Sequence, residues 1–428
     1  MSFTRDFVIA ATTFVAVLIP AVPSAATLDA MAPDNPELVS LVEQALATHP
    51  SAGAARAEVA AARSELSASR WARFPGVMVE SFADPRHGAD ISTAVSVEQP
   101  LWSGGRISAT IRQSRSRLDA ALASLDEVCL DLAQRTVQAY VDLQRLRRRA
   151  RVLEDSLVEH RKLVDSMRRR VEQEVSPASE LQLAQSRTRQ TEIDALQTQA
   201  EADIALLRLR QLIGDDSLQV EAILNYREEQ PLAAPSELLR AAIAFDPRTR
   251  RVMAEADIAA AEVTMRKSDL MPQLGVRYQH YLGDGDNSRE DQLGLVFRIQ
   301  ADGGLSRVSA INAARQRERA AELAVDTASR EQREAVLAAL TDNTAARRRA
   351  EAGREASVAA KSVTESFLRQ FAAGRRTWPE VLNSVRETAT AEITRIDAEA
   401  GAVTSYLRLL LLSGLWQPGV AGGPESTP

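Results

Sequence analysis

Two halves of this chain repeat one another, and this internal duplication limits the fold more strongly than any other feature of the sequence. Residues 37–214 match residues 237–414, and the offset between matching positions changes only across one segment. Because a change of loop length shifts the offset without disturbing the rest, each half is predicted to build the same unit. The matched pairs include Pro50 with Pro247 and Pro75 with Pro272 at an offset of 197, Gly104 with Gly303 at 199, and Gly214 with Gly414 at 200.

The bulk properties of the chain exclude several classes of protein. Its 428 residues carry a formal net charge of −6, which provides no basic field, so no nucleic-acid partner is expected. The amino terminus has Arg5, an apolar stretch over 8–21 and small residues up to Ala26, a pattern typical of a cleavable secretory signal over 1–26. An uncleaved membrane anchor is the alternative, although the apolar stretch is short for a bilayer span of roughly 20 residues.

A long helix dominates each repeat. From residue 106 to residue 174 apolar side chains recur three and four positions apart without proline or glycine, which is typical of a coiled-coil helix. Such a helix would be roughly 100 Å long at about 1.5 Å per residue, so the chain is predicted to be thin and extended. The low aromatic content, 4%, favours the same shape because large rings supply much of a thick core.

The predicted segments follow from this periodicity and its repetition. Shorter helices on either side of each long helix are expected to stack along it. The first repeat (27–228) has helices over 37–74, a β-hairpin over 76–99, a long helix over 106–174 and a return helix over 178–213; the second repeat (229–414) has helices over 237–271, a hairpin over 273–300, a long helix over 305–372 and a return helix over 377–412; a flexible tail covers 415–428.

Each hairpin alternates apolar and polar residues with a period of two, as in strands that have two different surroundings. About nine residues are enough to cross a bilayer as a tilted barrel strand. Because one chain's strands cannot close a barrel, and an open edge in lipid leaves backbone groups unpaired, several copies would have to associate. Trp71, Phe74 and Trp102 flank the first hairpin and are predicted to form an aromatic girdle at one bilayer surface. The alternative is a soluble sheet capping a periplasmic coiled-coil scaffold.

From residue 37 to residue 414 the sequence resembles the TolC family of outer-membrane channel proteins. The segments that carry the likeness are 45–50 with its repeat, Gln-Pro-Leu-Trp-Ser-Gly-Gly-Arg over 99–106, the stretch over 374–383 and two Leu-x-x-x-x-Gly endings. The resemblance implies a mainly α fold with a small β part. Three chains would share one twelve-stranded outer-membrane β-barrel and one α-helical barrel in the periplasm. It also implies a periplasmic adaptor and an inner-membrane transporter as partners.

The resemblance further implies that two helical turns, 170–180 and 371–380, close the tunnel and dock the adaptor. Phe371 replaces a tyrosine and has no hydroxyl, and Glu174 stands where glycine is usual, which leaves open whether the first turn keeps the family geometry. Three copies of Glu380 would form an acidic ring that favours cations. The implied gate residues are Arg376 with its partner Glu180, Phe371, Glu380 and Asn383; the implied docking residues are Glu174, Val175, Ser176, Pro177, Gly374, Arg375, Thr377 and Trp378.

Trp378 allows two interpretations. As an exposed aromatic it would anchor the adaptor, which is the interpretation favoured here, and otherwise it packs across the turn. The stretch over 374–383 is similar to family members that serve type I secretion of large adhesins. Secretion of a protein substrate is therefore predicted, with multidrug efflux as the alternative.

Catalytic and metal sites are not expected. His49, His87, His160 and His280 are scattered without ligand spacing, and Cys129 is the one cysteine. The stretch over 284–287 resembles the start of a calcium loop but lacks its glycine and glutamate, so it is interpreted as the tip of the second hairpin. We expect no cofactor and no enzymatic activity.

Overall fold

The computed structural model describes residues 33, 35–84, 90–220, 226, 234–282, 291–299 and 306–418, and describes no side chain between 82 and 92. The predicted signal over 1–26, His87, the calcium-like stretch over 284–287 and the tail beyond 418 lie outside the described residues.

Proline residues open the short helices of both halves. Pro36, Pro50 and Pro247 occupy the first turn, where the missing backbone N–H removes no helical bond. The side chains of Asn35 and Asp246 cap the free N–H groups next to two of these prolines. The helices of the first half are α1 (Pro36–Thr48), α2 (Pro50–Trp71), α3 (Arg106–Glu172) and α4 (Ala178–Ile213). Those of the second half are α5 (Pro235–Phe245), α6 (Pro247–Ser268), α7 (Ser306–Ala372) and α8 (Trp378–Leu412).

The strands form one antiparallel four-stranded sheet in the order β1-β2-β3-β4. The central pair, β2 with β3, joins the two halves of the chain, so the hairpins are not separate units. In the part of the chain that the structure describes, β1 and β4 each have one neighbouring strand, so each ends the sheet with an unpaired edge. The strands are β1 (Gly76–Asp84), β2 (Asp90–Trp102), β3 (Gln273–Leu282) and β4 (Gln292–Arg298).

One face of this sheet is apolar. Val77 lies opposite Val97, Val97 opposite Tyr278, and Tyr278 opposite Leu293, and directly paired residues share a face. Val77 and Leu293 are 70% and 74% exposed, so no residue that the structure describes covers the two ends of this apolar row. The row therefore needs an apolar environment from outside the chain.

The opposite face is polar. Glu98 pairs with Arg277 across β2 and β3, with an Nε to Oε2 distance of 3.0 Å, and lies 3.6 Å from Arg298. Alternation along each strand separates these charges from the apolar row. The sheet thus has the two-sided character of a strand layer between lipid and water.

The two long helices, α3 and α7, each have 67 residues and carry the shorter helices along their length. α3 packs against α4, α2, α6 and α8, and α7 packs against α8 and α6. The main core lies where α1, the middle of α3 and the carboxyl-terminal parts of α4 and α8 meet. The mainly helical fold with a small β part, built from a duplicated unit, is confirmed.

Among the described residues, no helix is both long and apolar enough to cross a membrane. The described part of the chain also brings together no group of three His, Cys, Asp or Glu residues suited to hold a metal ion. Cys129 packs against the main core, where burial raises the pKa of its thiol.

Candidate gate at the helical tips

The two helical hairpins of the chain turn in the same way. At the first tip, between α3 and α4, the backbone N–H of Val175 donates to the carbonyl of Arg170 at 2.9 Å. At the second tip, between α7 and α8, the N–H of Arg375 donates to the carbonyl of Gln370 at 2.8 Å. Each bond reaches back five residues, as in a Schellman turn that closes a helix. The duplication therefore extends to the hydrogen bonds of the tips.

Such a turn requires one residue with positive φ, and the two tips supply it differently. Gly374 has φ 72°, which glycine adopts without steric cost. Glu174 occupies the corresponding place with φ 55°, as the one non-glycine residue with positive φ in the described part of the chain. The first tip therefore keeps the family turn although Glu174 replaces the glycine, and the backbone of Glu174 is strained as a result.

We expect Glu174→Gly to stabilise the first tip. The left-handed conformation costs an L-residue roughly 1–2 kcal/mol, and the added freedom of glycine in the unfolded chain returns roughly 0.5–1 kcal/mol of that. A net gain of about 0.5–1 kcal/mol should raise the thermal unfolding midpoint. Glu172→Gly, inside the last turn of α3, is the matched control and should lower the midpoint, since glycine in a helix costs about 1 kcal/mol. A lower midpoint for both variants would contradict the strain at Glu174.

Trp378 does not lie on the surface. It is 2% exposed, and its ring packs against Phe371 across the turn at a centroid distance of 5.2 Å. The favoured expectation of an exposed adaptor anchor is therefore wrong in this structure, because α3 and α4 lie close enough to cover the indole. We call the apolar group around it the tip cluster. Its buried members are Val164 and Met167 on α3, Ala184 on α4, and Trp378 and Leu382 on α8.

Arg376 is held by its own hairpin. Its Nη1 lies 2.5 Å from Oε1 of Glu380, its Nε donates to Gln370 at 3.1 Å, and its guanidinium lies 4.2 Å from the centre of the Phe367 ring. Within the chain it makes no ion pair with Glu180, so the expected link to Glu180 is not formed there. The physical reason is that Glu380 lies only four residues from Arg376 in the same hairpin, whereas Glu180 belongs to the other hairpin.

Glu380 combines a charge with a cap. Its Oε2 accepts hydrogen bonds from the backbone N–H and from the hydroxyl of Thr377, each at 2.8 Å. The bond from the backbone N–H is the carboxylate half of a capping box at the start of α8. The backbone N–H, the hydroxyl and then Arg376 lower the pKa of Glu380 to about 2. The carboxylate is therefore ionised at neutral pH, but Arg376 compensates its charge. A ring of three such carboxylates would attract cations less strongly than the sequence suggested.

The remaining predicted gate residues lie on or beside these turns. Phe371 is half-buried and stacks under Arg170 of the first tip, whose guanidinium lies 5.0 Å from the ring centre. Asn383 is exposed one turn beyond Glu380, and Glu180 is half-buried in the first turn of α4. A cation–π contact thus links the two tips where a tyrosine hydroxyl is missing.

Most predicted docking residues are accessible. Val175 is 61% exposed at the apex of the first tip. Ser176 is half-buried and close to the side chain of Arg170, at 3.4 Å. The exposed members are Glu174, Val175, Pro177, Gly374, Arg375 and Thr377.

The predicted girdle residues lie where helix and sheet meet. Trp71 and Phe74 are 67% and 56% exposed with ring centroids 5.1 Å apart, and Trp102 is 49% exposed. Trp71 ends α2 and Trp102 ends β2, so both rings mark the same boundary of the fold.

An ion network between α3 and α8 was not predicted. Glu399 is 5% exposed and binds Arg148 at 2.8 Å and Arg395 at 2.5 Å. Nearby, Arg145 binds Asp397 at 3.1 Å. Charged residues at helical spacing usually face solvent. Only the packing of α3 on α8 reveals that Glu399 and its partners are covered. The signal in the sequence was the cluster of four arginines over 145–149, which has Asp142 as the one acidic residue within four positions of it.

Comparison with known proteins agrees with this architecture. A family model described as outer membrane efflux protein matches residues 41–215 and 238–415, which are the two halves of the duplication. The outer membrane efflux protein BepC of Brucella suis biovar 1 (strain 1330) is 23% identical over 337 residues, covering 76% of this chain and 72% of that protein. The outer-membrane channel OprN superposes with a TM-score of 0.80 at 21% identity over 92% of each chain. The CmeC outer membrane channel of Campylobacter jejuni gives 0.76 at 14% identity, over 91% of this chain and 88% of its own.

Proposed function

The chain belongs to the outer membrane efflux protein family, and we propose that three copies of it form one export duct through the outer membrane and periplasm. Membership makes it an outer-membrane efflux channel component and not an enzyme, and it replaces the alternative of a soluble scaffold. In the proposed duct the sheets form a shared twelve-stranded barrel and the long helices a periplasmic tunnel.

The observation that carries this proposal is the two-sided sheet with free edges. Its apolar row is exposed along β1 and β4, while Glu98 and Arg277 lie on the other face. A barrel that faces lipid on one side and water on the other satisfies both faces and pairs every edge. Three copies of the four-stranded sheet supply about twelve strands, above the roughly eight of the smallest membrane barrels.

The first experiment tests assembly and conduction. The protein purified from outer membranes should migrate as a heat-modifiable trimer and conduct ions in planar lipid bilayers. A monomer that does not partition into detergent would contradict the proposal.

We further propose that the duct serves type I secretion of a protein such as an adhesin. The support is the second tip, whose Gly374-Arg375-Arg376-Thr377-Trp378 stretch is similar to family members of that kind. Multidrug efflux is the second candidate, favoured by the efflux description of the matching family. A deletion strain separates them: loss of a large surface protein with unchanged drug tolerance supports secretion, and the reverse supports efflux.

The exposed tip residues are proposed to dock the periplasmic adaptor. The first tip presents Glu172 and Glu174, and the second presents Arg375, so the two tips carry opposite charges. An adaptor hairpin that contacts both tips would need complementary charges on its two sides. Val175, exposed next to Glu174, provides an apolar contact.

Ion selectivity tests the proposed gate. Arg376→Gln removes the charge that compensates Glu380 in each of three copies, so the cation-to-anion permeability ratio should rise by about threefold or more. Glu380→Gln leaves three arginines without their carboxylate, so the ratio should fall by a similar factor. Because the pKa of Glu380 is lowered to about 2, its carboxylate in the parent protein stays charged until the pH falls close to that value. The reversal potential in a salt gradient measures the ratio.

Arg135→Gln is the control, because Arg135 forms an exposed pair with Asp131 near the middle of α3, away from the tips. Equal permeability ratios in all three variants would show that the Arg376 and Glu380 level does not line the constriction.

A further inference from the structure

The tip cluster joins the two helical hairpins of one chain. Val164 and Met167 of α3 and Ala184 of α4 form one wall, and Trp378 enters from α8. Met167 and Ala184 are completely buried, at 0% exposure each. The cluster is separate from the main core, so its contacts hold the α7–α8 hairpin against the α3–α4 hairpin at the tips themselves.

A row of side chains crosses from one tip to the other beside this cluster. Arg170 lies over Phe371, and Phe371 packs against Trp378. The row crosses from one hairpin to the other, since Arg170 belongs to α3 and the two aromatic residues belong to α7 and α8. Separating the tips would break the cation–π contact and uncover the indole together.

The indole fits its pocket by shape but not by hydrogen bonding. Its Nε1–H is buried and has no acceptor among the described residues. Buried indole N–H groups usually find a partner, and one without a partner opposes burial of the ring. The apolar contacts of the ring therefore hold it in place, while the N–H favours its release into water.

We propose that Trp378 holds the tips closed, and we call this side chain the latch. The α7–α8 hairpin moves away from α3 and α4 only when the indole leaves the pocket formed by Val164, Met167 and Ala184, and the exposed N–H then binds water. Trp378 is a positioning residue, because it acts by holding the tip that carries Arg376 and Glu380. The inference rests on the proposed function and adds to it the side chain that regulates the opening.

Conductance of the full-length protein in planar bilayers tests the latch with two substitutions at the same position. Trp378→Ala empties the pocket and should raise the mean resting conductance at least about fivefold by populating open tips. Trp378→Phe keeps a ring and removes the unpaired N–H, so its conductance should stay within about twofold of the parent or below it. Trp416→Phe, a buried tryptophan of the main core, is the matched control and should not change conductance.

A variant on the opposite wall gives an independent test. Ala184→Leu fills the pocket from α4 and should raise conductance as Trp378→Ala does. In a protein whose Trp71, Trp102 and Trp416 are replaced by phenylalanine, the emission of Trp378 should be blue-shifted and poorly quenched by acrylamide. Ala184→Leu should shift that emission to the red and increase quenching.

The outcomes separate the two proposals. If the parent protein does not conduct, the proposed function fails. If the parent conducts and neither Trp378→Ala nor Ala184→Leu changes its conductance, the latch fails alone. Strong acrylamide quenching of Trp378 in the parent would also overturn the latch, whatever the conductance.

Discussion

Replacing Gly414 by alanine is expected to destabilise the protein by about 2–5 kcal/mol. Gly414 has φ 67°, a conformation that costs an L-residue roughly 1–2 kcal/mol. A Cβ added there would lie only 2.7 Å from Cδ2 of Phe245, and such overpacking costs typically about 1–3 kcal/mol. Thermal unfolding of the solubilised assembly should show a much lower midpoint temperature or a faster unfolding rate.

The duplication supplies the matched control. Gly214 occupies the same place in the first repeat with φ 76°, but the nearest atom to an added Cβ is Oγ1 of Thr48 at 3.8 Å. Gly214→Ala should therefore cost only the conformational part, roughly 1–2 kcal/mol. Phe245→Thr copies the first repeat's residue into the second and should recover part of the loss in Gly414→Ala. Equal effects of the two alanine substitutions would show that contact with Phe245 does not determine the cost.

This pair also shows what sequence reasoning could supply. The echo of one half in the other predicted the long helices, the return helices and the hairpins, because periodicity and turn residues act locally. The described α4 covers Ala178–Ile213 and α3 covers Arg106–Glu172, against predicted ranges of 178–213 and 106–174. The positive φ of Glu174 follows from the same repetition, since Gly374 adopts it in the second half.

Contacts between hairpins could not be predicted in this way. The burial of Trp378 depends on how near α3 and α4 lie to α8, which no local pattern encodes. The choice of Glu380 over Glu180 by Arg376 depends on which carboxylate the turn brings within reach. Glu399 is the extreme case, because its partner Arg148 lies 251 positions away in the other repeat.

Glu399→Leu is expected to destabilise the protein by about 3–5 kcal/mol, since removing one member of a buried ion pair leaves the other charges uncompensated. Glu399 is 5% exposed and is bound by both Arg148 and Arg395. The control is Glu331→Gln at the exposed pair with Arg248, whose side chains are 54% and 47% exposed for Arg248 and Glu331. That substitution should cost about 0–1 kcal/mol, because solvent screens the pair. Unfolding rates in denaturant measure both.

A second substitution distinguishes a buried ion pair from simple packing. Glu399→Leu leaves the charge of Arg148 without its partner, and Arg148→Met removes that charge. The double variant should therefore be less destabilised than the sum of the two single variants, by about 1–3 kcal/mol. Arg395 keeps a partner in that variant, because it also binds Glu392. If the two losses simply add, Glu399 acts through its volume. If the two losses are not additive, the charges of α3 and α8 hold the two hairpins together at the level of Glu399. Opening of the tips would then bend the helices between this level and the tips.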